Sequence, residues 1–218
     1  MTILRPIKKT KDIYTVIDIG NNKISCLIGT SMKTNDVQVK VLGFGQHASL
    51  GISNGLVTNM NQIANSIARA VESAETMAGF PIKNVVCSLT GGRPITKTIH
   101  NKLKINNGKI VKSDLAKIQR ITNPEKIDEY ILLSSTPIKY FIDNNNYVEN
   151  PIGMFSKNLI VEISNTYGDK AIMKNIGAAV EMCHLSVEKF IISPDASGTS
   201  TMIKDERENG AIVLDLGE

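Results

Sequence analysis

The chain has 218 residues, a formal net charge of +4, and 42% hydrophobic against 21% charged residues. These proportions exclude intrinsic disorder, which pairs low hydrophobicity with high net charge. The length suits one or two domains with a sizeable core. With mild positive charge, aromatics at 5% and no Trp, the chain offers few stacking platforms and no case for nucleic acid.

Cys26, Cys87 and Cys183 are widely spaced and odd in number, and none forms a CxxC pair. Inert core thiols in a reducing compartment are expected. The N-terminal residues carry no signal-peptide pattern, and no stretch approaches the ~20 apolar residues of a membrane span. A cytosolic protein is expected.

In chain order, Tyr14–Gly20 reads as a buried strand with Asp18 as a polar intruder, stopped by Gly20 and Asn21. Lys23–Gly29 and the alternating Val37–Gly43 follow as strands, and short links between the three predict an antiparallel meander. Leu50–Val57 is a Gly-punctuated loop. A helix then begins at the cap Asn59, with Gln62 placed for a capping box. Met60, Ile63, Ala64, Ile67, Val71 and Ala74 form its apolar stripe, and Gly79 and Pro81 end it. Asn84–Thr90 is the next strand.

From residue 91 to 167 the chain is richer in Lys and Asn. A strand is predicted at Thr96–Ile105, a helix at Ser113–Ile121 capped by Ser113, and extended runs at Tyr130–Phe141 and Asn158–Ser164. The segment between those runs, Asp143–Pro151, reads as turns. This is a small α+β unit inserted into the chain. Beyond it the composition of the first 90 residues resumes: a helix at Lys170–Cys183, a strand at Val187–Ser193, a helix at Asp195–Glu208 and a closing buried strand at Ala211–Gly217.

Two segments resemble each other, Val16-Ile-Asp-Ile-Gly20 and Val213-Leu-Asp-Leu-Gly217. Each is an apolar strand with an internal Asp and a Gly just past its end. Such a Gly permits a tight turn whose backbone N–H groups can cradle phosphate. An Asp at the strand end can hold the waters of Mg²⁺. One copy is ordinary turn chemistry. Two copies facing each other, side by side, would clamp a nucleotide triphosphate. Asp18 carries this reading best, since a carboxylate in an apolar strand is costly without partners; Lys23, directly after the loop, reads equally as a phosphate contact or a solvated charge. His47, His100 and His184 share no spacing with acids or thiols and are read as surface or packing residues. The hydroxyl residues at Ser134–Ser135 and Ser197–Thr201 have no nearby base and are not read as nucleophiles.

With these residues in view, the chain resembles the actin/Hsp70/sugar-kinase superfamily and, within it, the FtsA family. The resemblance is carried by Val16–Gly29, Gly51–Asn59, Ser88–Ile95, Asn150–Met154 and Lys204–Gly217, in order along nearly the whole chain. It implies an α/β, actin-like (RNase H-like) subdomain 1A at 1–90 and 168–218, interrupted at 91–167 by an inserted SHS2-type subdomain 1C. The second lobe would be missing.

The same resemblance implies ATP and Mg²⁺ as ligands, both bound weakly or not at all by this chain alone. Asp18 and Asp215 would be associated with the metal. Gly20, Asn21, Asn22 and Lys23 would contact phosphate, and Asp215 and Gly217 would open the second phosphate loop. It further implies an actin-like scaffold at the cytoplasmic side of the inner membrane that helps anchor the FtsZ ring at the division site, with FtsZ and other division proteins as partners and self-association through 1C. Membrane contact would be indirect, since the family's C-terminal amphipathic helix lies beyond Glu218.

Asn21 stands where the family commonly has Thr, and Glu218 where a second Gly is usual. With the site half-built, no independent hydrolysis is expected. The alternatives are half of a split actin-fold ATPase or phosphotransferase completed by another chain, a PilM-like pilus assembly protein, and a decayed gene product.

Overall fold

A strand with apolar residues at every second position must bury one face and leave the other to a different partner. Strand β1, Ile13–Ile19, does this: Thr15, Ile17 and Ile19 are buried, while Tyr14, Val16 and Asp18 lie on the opposite face. The computed structural model describes residues 13–33, 37–91, 93–106, 108–120, 124–143 and 146–216. It divides into two units, Met1–Gly92 with Ala171–Glu218, and Arg93–Lys170.

In the first unit, β1 is followed by β2 (Lys23–Lys33) and β3 (Val37–Ala48), the antiparallel meander that the short links predict. The stretch read as a loop contains a small hairpin of β4 (Ile52–Ser53) and β5 (Leu56–Val57). Asn54 and Gly55 turn it with φ of 50° and 73°, the left-handed pair that a two-residue hairpin loop requires. Helix α1, Met60–Ala78, starts where Asn59 Oδ1 accepts the Gln62 N–H and stops where Gly79, at φ 81°, donates to the Glu75 carbonyl. Its buried face is Ile63, Ala64, Ser66, Ile67, Ala70, Val71 and Ala74. Strand β6, Asn84–Leu89, follows and runs parallel to β1.

The second unit holds β7 (Ile95–Lys104), α2 (Lys112–Arg120), β8 (Tyr130–Ile142), β9 (Asn146–Val148) and β10 (Asn158–Asp169). They form an antiparallel sheet in the order β7-β10-β8-β9. Its core is Leu103, Ile105, Ile110, Ile118, Leu159, Val161 and Ile163. Two details differ from the sequence reading. Helix α2 begins at Lys112, so Ser113 lies inside it. The helix start is stabilised instead by Asp114, whose carboxylate accepts the Val111 N–H at 2.9 Å. The turn-rich Asp143–Pro151 contains β9, which pairs with the end of β8.

The chain returns to the first unit through α3 (Lys170–Glu181) and β11 (Ser186–Ile192), then α4 (Ser193–Thr201) and α5 (Lys204–Asn209). The first sheet has the order β11-β6-β1-β2-β3, with β11 parallel to β6. The single helix predicted at 195–208 is broken at Met202 and Ile203. Thr199, Ser200 and Thr201 bond back onto the carbonyls of Asp195 and Ser197, which weakens the helix from within. Arg207 donates to the carbonyls of Thr199 and Met202, and Glu206 accepts the Ile203 N–H, so the break is satisfied on both sides.

The closing strand predicted at Ala211–Gly217 does not form among the described residues. Residues 211–216 have no ladder partner, and Ile212, Leu214 and Leu216 are 90%, 79% and 89% exposed. An apolar run becomes a strand only where a neighbouring edge pairs with it, and the sheet's described edges are β11 and β3.

Helix α1 packs on β3 and β2. Gly43 and Gly45 lie on one face of β3, where an added Cβ would stand 2.2 Å from the Ala74 carbonyl oxygen and 2.0 Å from that of Ala70. The helix backbone therefore rests directly on the glycines. Gly45→Ala forces backbone apart and is expected to cost about 1–3 kcal/mol by urea unfolding. The exposed control Lys40→Ala should stay within about 0.5 kcal/mol.

Cys26 and Cys87 are fully buried, and burial pushes both thiols up to about 12; Glu75 adds to the rise at Cys26, and Cys26 to that at Cys87. Cys183 is half-buried, and its thiol is also raised by burial. A thiol with raised pKa stays protonated and unreactive at neutral pH. Ellman's reagent should find Cys26 and Cys87 silent in the native protein, with all 3 cysteines reacting after denaturation.

Candidate functional site

Strands β1, β6 and β11 run parallel, so their C-terminal ends reach the same edge of the sheet. Polar residues concentrate there. Asp18 is in register with Ser88 on β6, and Ser88 with Ile191 on β11. Just past β11, Ser193 opens α4, and its hydroxyl donates to Asp18 Oδ1 at 3.2 Å. The same hydroxyl lies 2.8 Å from Ser88 Oγ and 3.4 Å from Thr90 Oγ1. A carboxylate placed in an apolar strand is thus held by a buried serine cluster, the kind of compensation that such burial demands.

The turn after β1 is closed by the Gly20 N–H, which donates to the Lys23 carbonyl at 3.1 Å. A Cβ on Gly20 would stand 3.1 Å from that same oxygen, so close approach of the backbone sets this position. The amide of Gly20 is committed to the turn, and a ligand would have to find its donors on the residues after it. Asn21 Oδ1 accepts the Gly55 N–H at 2.9 Å, which ties the β4–β5 hairpin to this turn. The Asn22 carbonyl accepts the Ser49 N–H at 2.8 Å. Asn22 and Lys23 are exposed.

The closing segment arrives at the same place without pairing into the sheet. Asp215 Oδ2 accepts the Ser197 hydroxyl of α4 at 3.0 Å. Asp18, Gly20, Asn21, Asn22, Lys23 and Asp215 all line one cavity of about 830 Å³. Its other walls include Val16, Leu27, Ser88, Thr90, Ile191 and the α4 residues Ala196, Ser197 and Ser200. Gly217 and Glu218 lie outside the described residues. The cavity thus gathers the described candidates, and the side-by-side strand pairing expected for the two motifs is replaced by a side-chain contact.

The sequence reading missed Ser88, Thr90, Ser193 and Ser197. Single serines carry no spacing signal, and only the parallel strand order brings them to the two carboxylates. Two carboxylates, a lysine and hydroxyls at one cavity suit a divalent cation with phosphate, since Mg²⁺ keeps several waters and takes few protein oxygens. The donor set therefore fits the expected group. Among the described residues, no cluster of three or more His, Cys, Asp or Glu could hold a metal by itself.

Ser193→Ala leaves Asp18 and the buried Ser88 hydroxyl short of a partner. It is expected to lower stability by about 1–3 kcal/mol in a thermal or urea melt. Ser200→Ala, at an exposed position on α4, should change it by no more than about 0.5 kcal/mol.

The strand order, the Asp-bearing turn after the first strand and the inserted sheet together define an actin-like fold carrying a small α+β insert. Residues 91–166 match the family described as "SHS2 domain inserted in FTSA". The chain is similar along nearly its whole length to the cell division protein FtsA. It is 26% identical over 224 residues to that of Rhizobium meliloti (strain 1021), covering 98% of this chain and 51% of the relative. The identity is 30% over 209 residues to FtsA of Neisseria meningitidis serogroup B, covering 93% and 49%. To FtsA of Escherichia coli (strain K12) it is 28% over 202 residues, covering 92% and 48%.

The chain therefore spans about half the length of the curated relatives it matches. Among solved structures, a PilM-PilN type IV pilus biogenesis complex shares the fold at a TM-score of 0.52 and 13% identity, covering 88% of this chain and 50% of that one.

Proposed function

We propose that this chain acts in bacterial cell division as an FtsA-type, actin-like scaffold that binds ATP with Mg²⁺ and helps anchor the FtsZ ring at the cytoplasmic side of the inner membrane. The observation that carries the nucleotide reading is the single cavity where Asp18, Lys23 and Asp215 meet. The division role is supported by the similarity to FtsA over nearly the whole chain. Self-association through the SHS2 unit belongs to the same reading.

In this proposal Asp18 and Asp215 hold the waters of the cation, with Ser193 and Ser197 orienting their carboxylates through the bonds their hydroxyls donate. Lys23 faces the phosphates as a point charge, and Asn22 lies beside it. Asn21 positions the turn through Gly55. When bound, Mg²⁺ would neutralise phosphate charge and fix the phosphate orientation. Phosphoryl transfer further needs preorganised donors around the whole transferring group. The isolated chain is proposed to bind nucleotide without turning it over.

The fold likeness to the pilus protein keeps a pilus-assembly role as a second reading, carried by fold alone. Titration of the full chain with a fluorescent ATP analogue and Mg²⁺ should show saturable binding. Asp18→Asn and Lys23→Ala should each weaken it about tenfold or more, the loss of one charge-assisted contact. Absence of binding, or binding indifferent to both substitutions, removes the nucleotide reading. Separately, the chain should co-sediment with polymerised FtsZ, and a fluorescent fusion should collect at the septum only when FtsZ is present. Failure there would sink the division role and leave the pilus reading.

A further inference from the structure

In the SHS2 unit, the segment 108–111 leads into α2, and it is hydrogen-bonded to 153–156. Ile110 N–H donates to the Met154 carbonyl at 2.9 Å, Gly153 N–H to the Ile110 carbonyl at 2.8 Å, and Ser156 N–H to the Gly108 carbonyl at 2.8 Å. Lys109 and Phe155 pair across this short ladder. Ile110 points into the core at 0% exposure and fixes the ladder to the unit. The side chains around it do the opposite. Phe155 is 76% exposed, and Val111, Ile152 and Met154 are also exposed.

Four adjacent large apolar side chains held in water by a firmly bonded backbone mark a contact surface. The charge around them identifies its partner. Lys109 lies over the Phe155 ring, its ammonium 5.8 Å from the centroid. Lys112 and Lys157 are exposed beside the apolar residues, and no Asp or Glu occurs between Arg93 and Ser113. Two carboxylates sit at these loops, each committed to backbone donors there: Asp114 accepts the Val111 N–H, and Asp143 accepts the N–H groups of Lys157 and Asn158. Glu149 is exposed.

We propose that the double loop of residues 108–112 and 151–157 is a membrane-contact tip: Phe155, Met154, Ile152 and Val111 enter the headgroup region of an anionic bilayer while Lys109, Lys112 and Lys157 bind its phosphates. Apolar insertion and lysine attraction add in such binding, and long lysine stems let the ammonium stay at the headgroups while the stem lies along the apolar surface. A protein partner would satisfy the apolar residues, but an acidic one would also be needed to match the lysine ring. A bilayer with phosphatidylglycerol supplies both in one surface. This contact needs neither nucleotide nor FtsZ, so its failure and that of the proposed function are separable.

The chain contains no Trp, so Phe155→Trp places a single reporter at the tip. With vesicles of phosphatidylcholine and phosphatidylglycerol, its emission should shift to the blue and be quenched by lipids brominated on the acyl chain. With phosphatidylcholine alone it should not. Lys109→Gln and Lys112→Gln should each weaken vesicle binding by about fivefold. The double variant Met154→Ser, Phe155→Ser should abolish binding with an unchanged circular dichroism spectrum, since both side chains lie outside the core. Absence of vesicle binding, or binding that ignores these substitutions, overturns the proposal. A blue shift that grows with protein concentration without vesicles also overturns it, by making the tip an interface between copies.

Discussion

The candidate site depends on one local compromise, a carboxylate carried on the central strand of an apolar sheet. Asp18 costs stability where it stands unless donors meet it. The donors come from Ser193 directly and, through it, from Ser88 and Thr90. They are available only because β1, β6 and β11 are parallel and end at one edge. In an antiparallel arrangement the polar strand ends would alternate between two edges, and Asp18 would have no such cluster. The cavity follows from the same geometry, since ligands of open α/β sheets bind beyond the carboxyl ends of their strands.

The other side of the sheet answers to a different constraint. Helix α1 lies so close to β3 that Gly43 and Gly45 cannot carry a side chain without displacing helix backbone. This holds the meander against the helix and thereby fixes β2 beside β1. The turn between those strands, with Gly20 bonded to Lys23 and Asn21 bonded to Gly55, is then braced from both directions. A binding loop built this way is positioned before any ligand arrives, which reduces the ordering cost of binding.

The two units divide the labour by chemistry. The first concentrates hydroxyls and carboxylates at a strand edge. The second is an antiparallel sheet with its own apolar core, and it spends its charge on the surface, with lysines grouped along β7 and the start of α2. Its membrane-contact tip is a backbone feature decorated with apolar side chains, and Ile110 anchors it from below.

How much was legible in the sequence follows from how local each cause is. Helix α1 was readable to its ends because Asn59 and Gly79 act within a few residues of themselves. The meander was readable because its links are short and Val37–Gly43 alternates in period two. The break between α4 and α5 was hidden, since Arg207 reaches back across it from the next helix. The closing run Ala211–Gly217 reads as a buried strand because hydrophobicity records a preference for burial and not whether an edge pairs with it; its described residues, 211–216, join no ladder. The sequence by itself determined the two ends of α1, the strands of the meander, the inserted unit and the two Asp-bearing motifs, all of which are set by neighbours in the chain. Only the tertiary structure decided that Asp215 meets the cavity through Ser197 rather than through a ladder, and that four scattered serines and threonines converge on two carboxylates. Those contacts join residues up to 175 positions apart, and no local propensity encodes them.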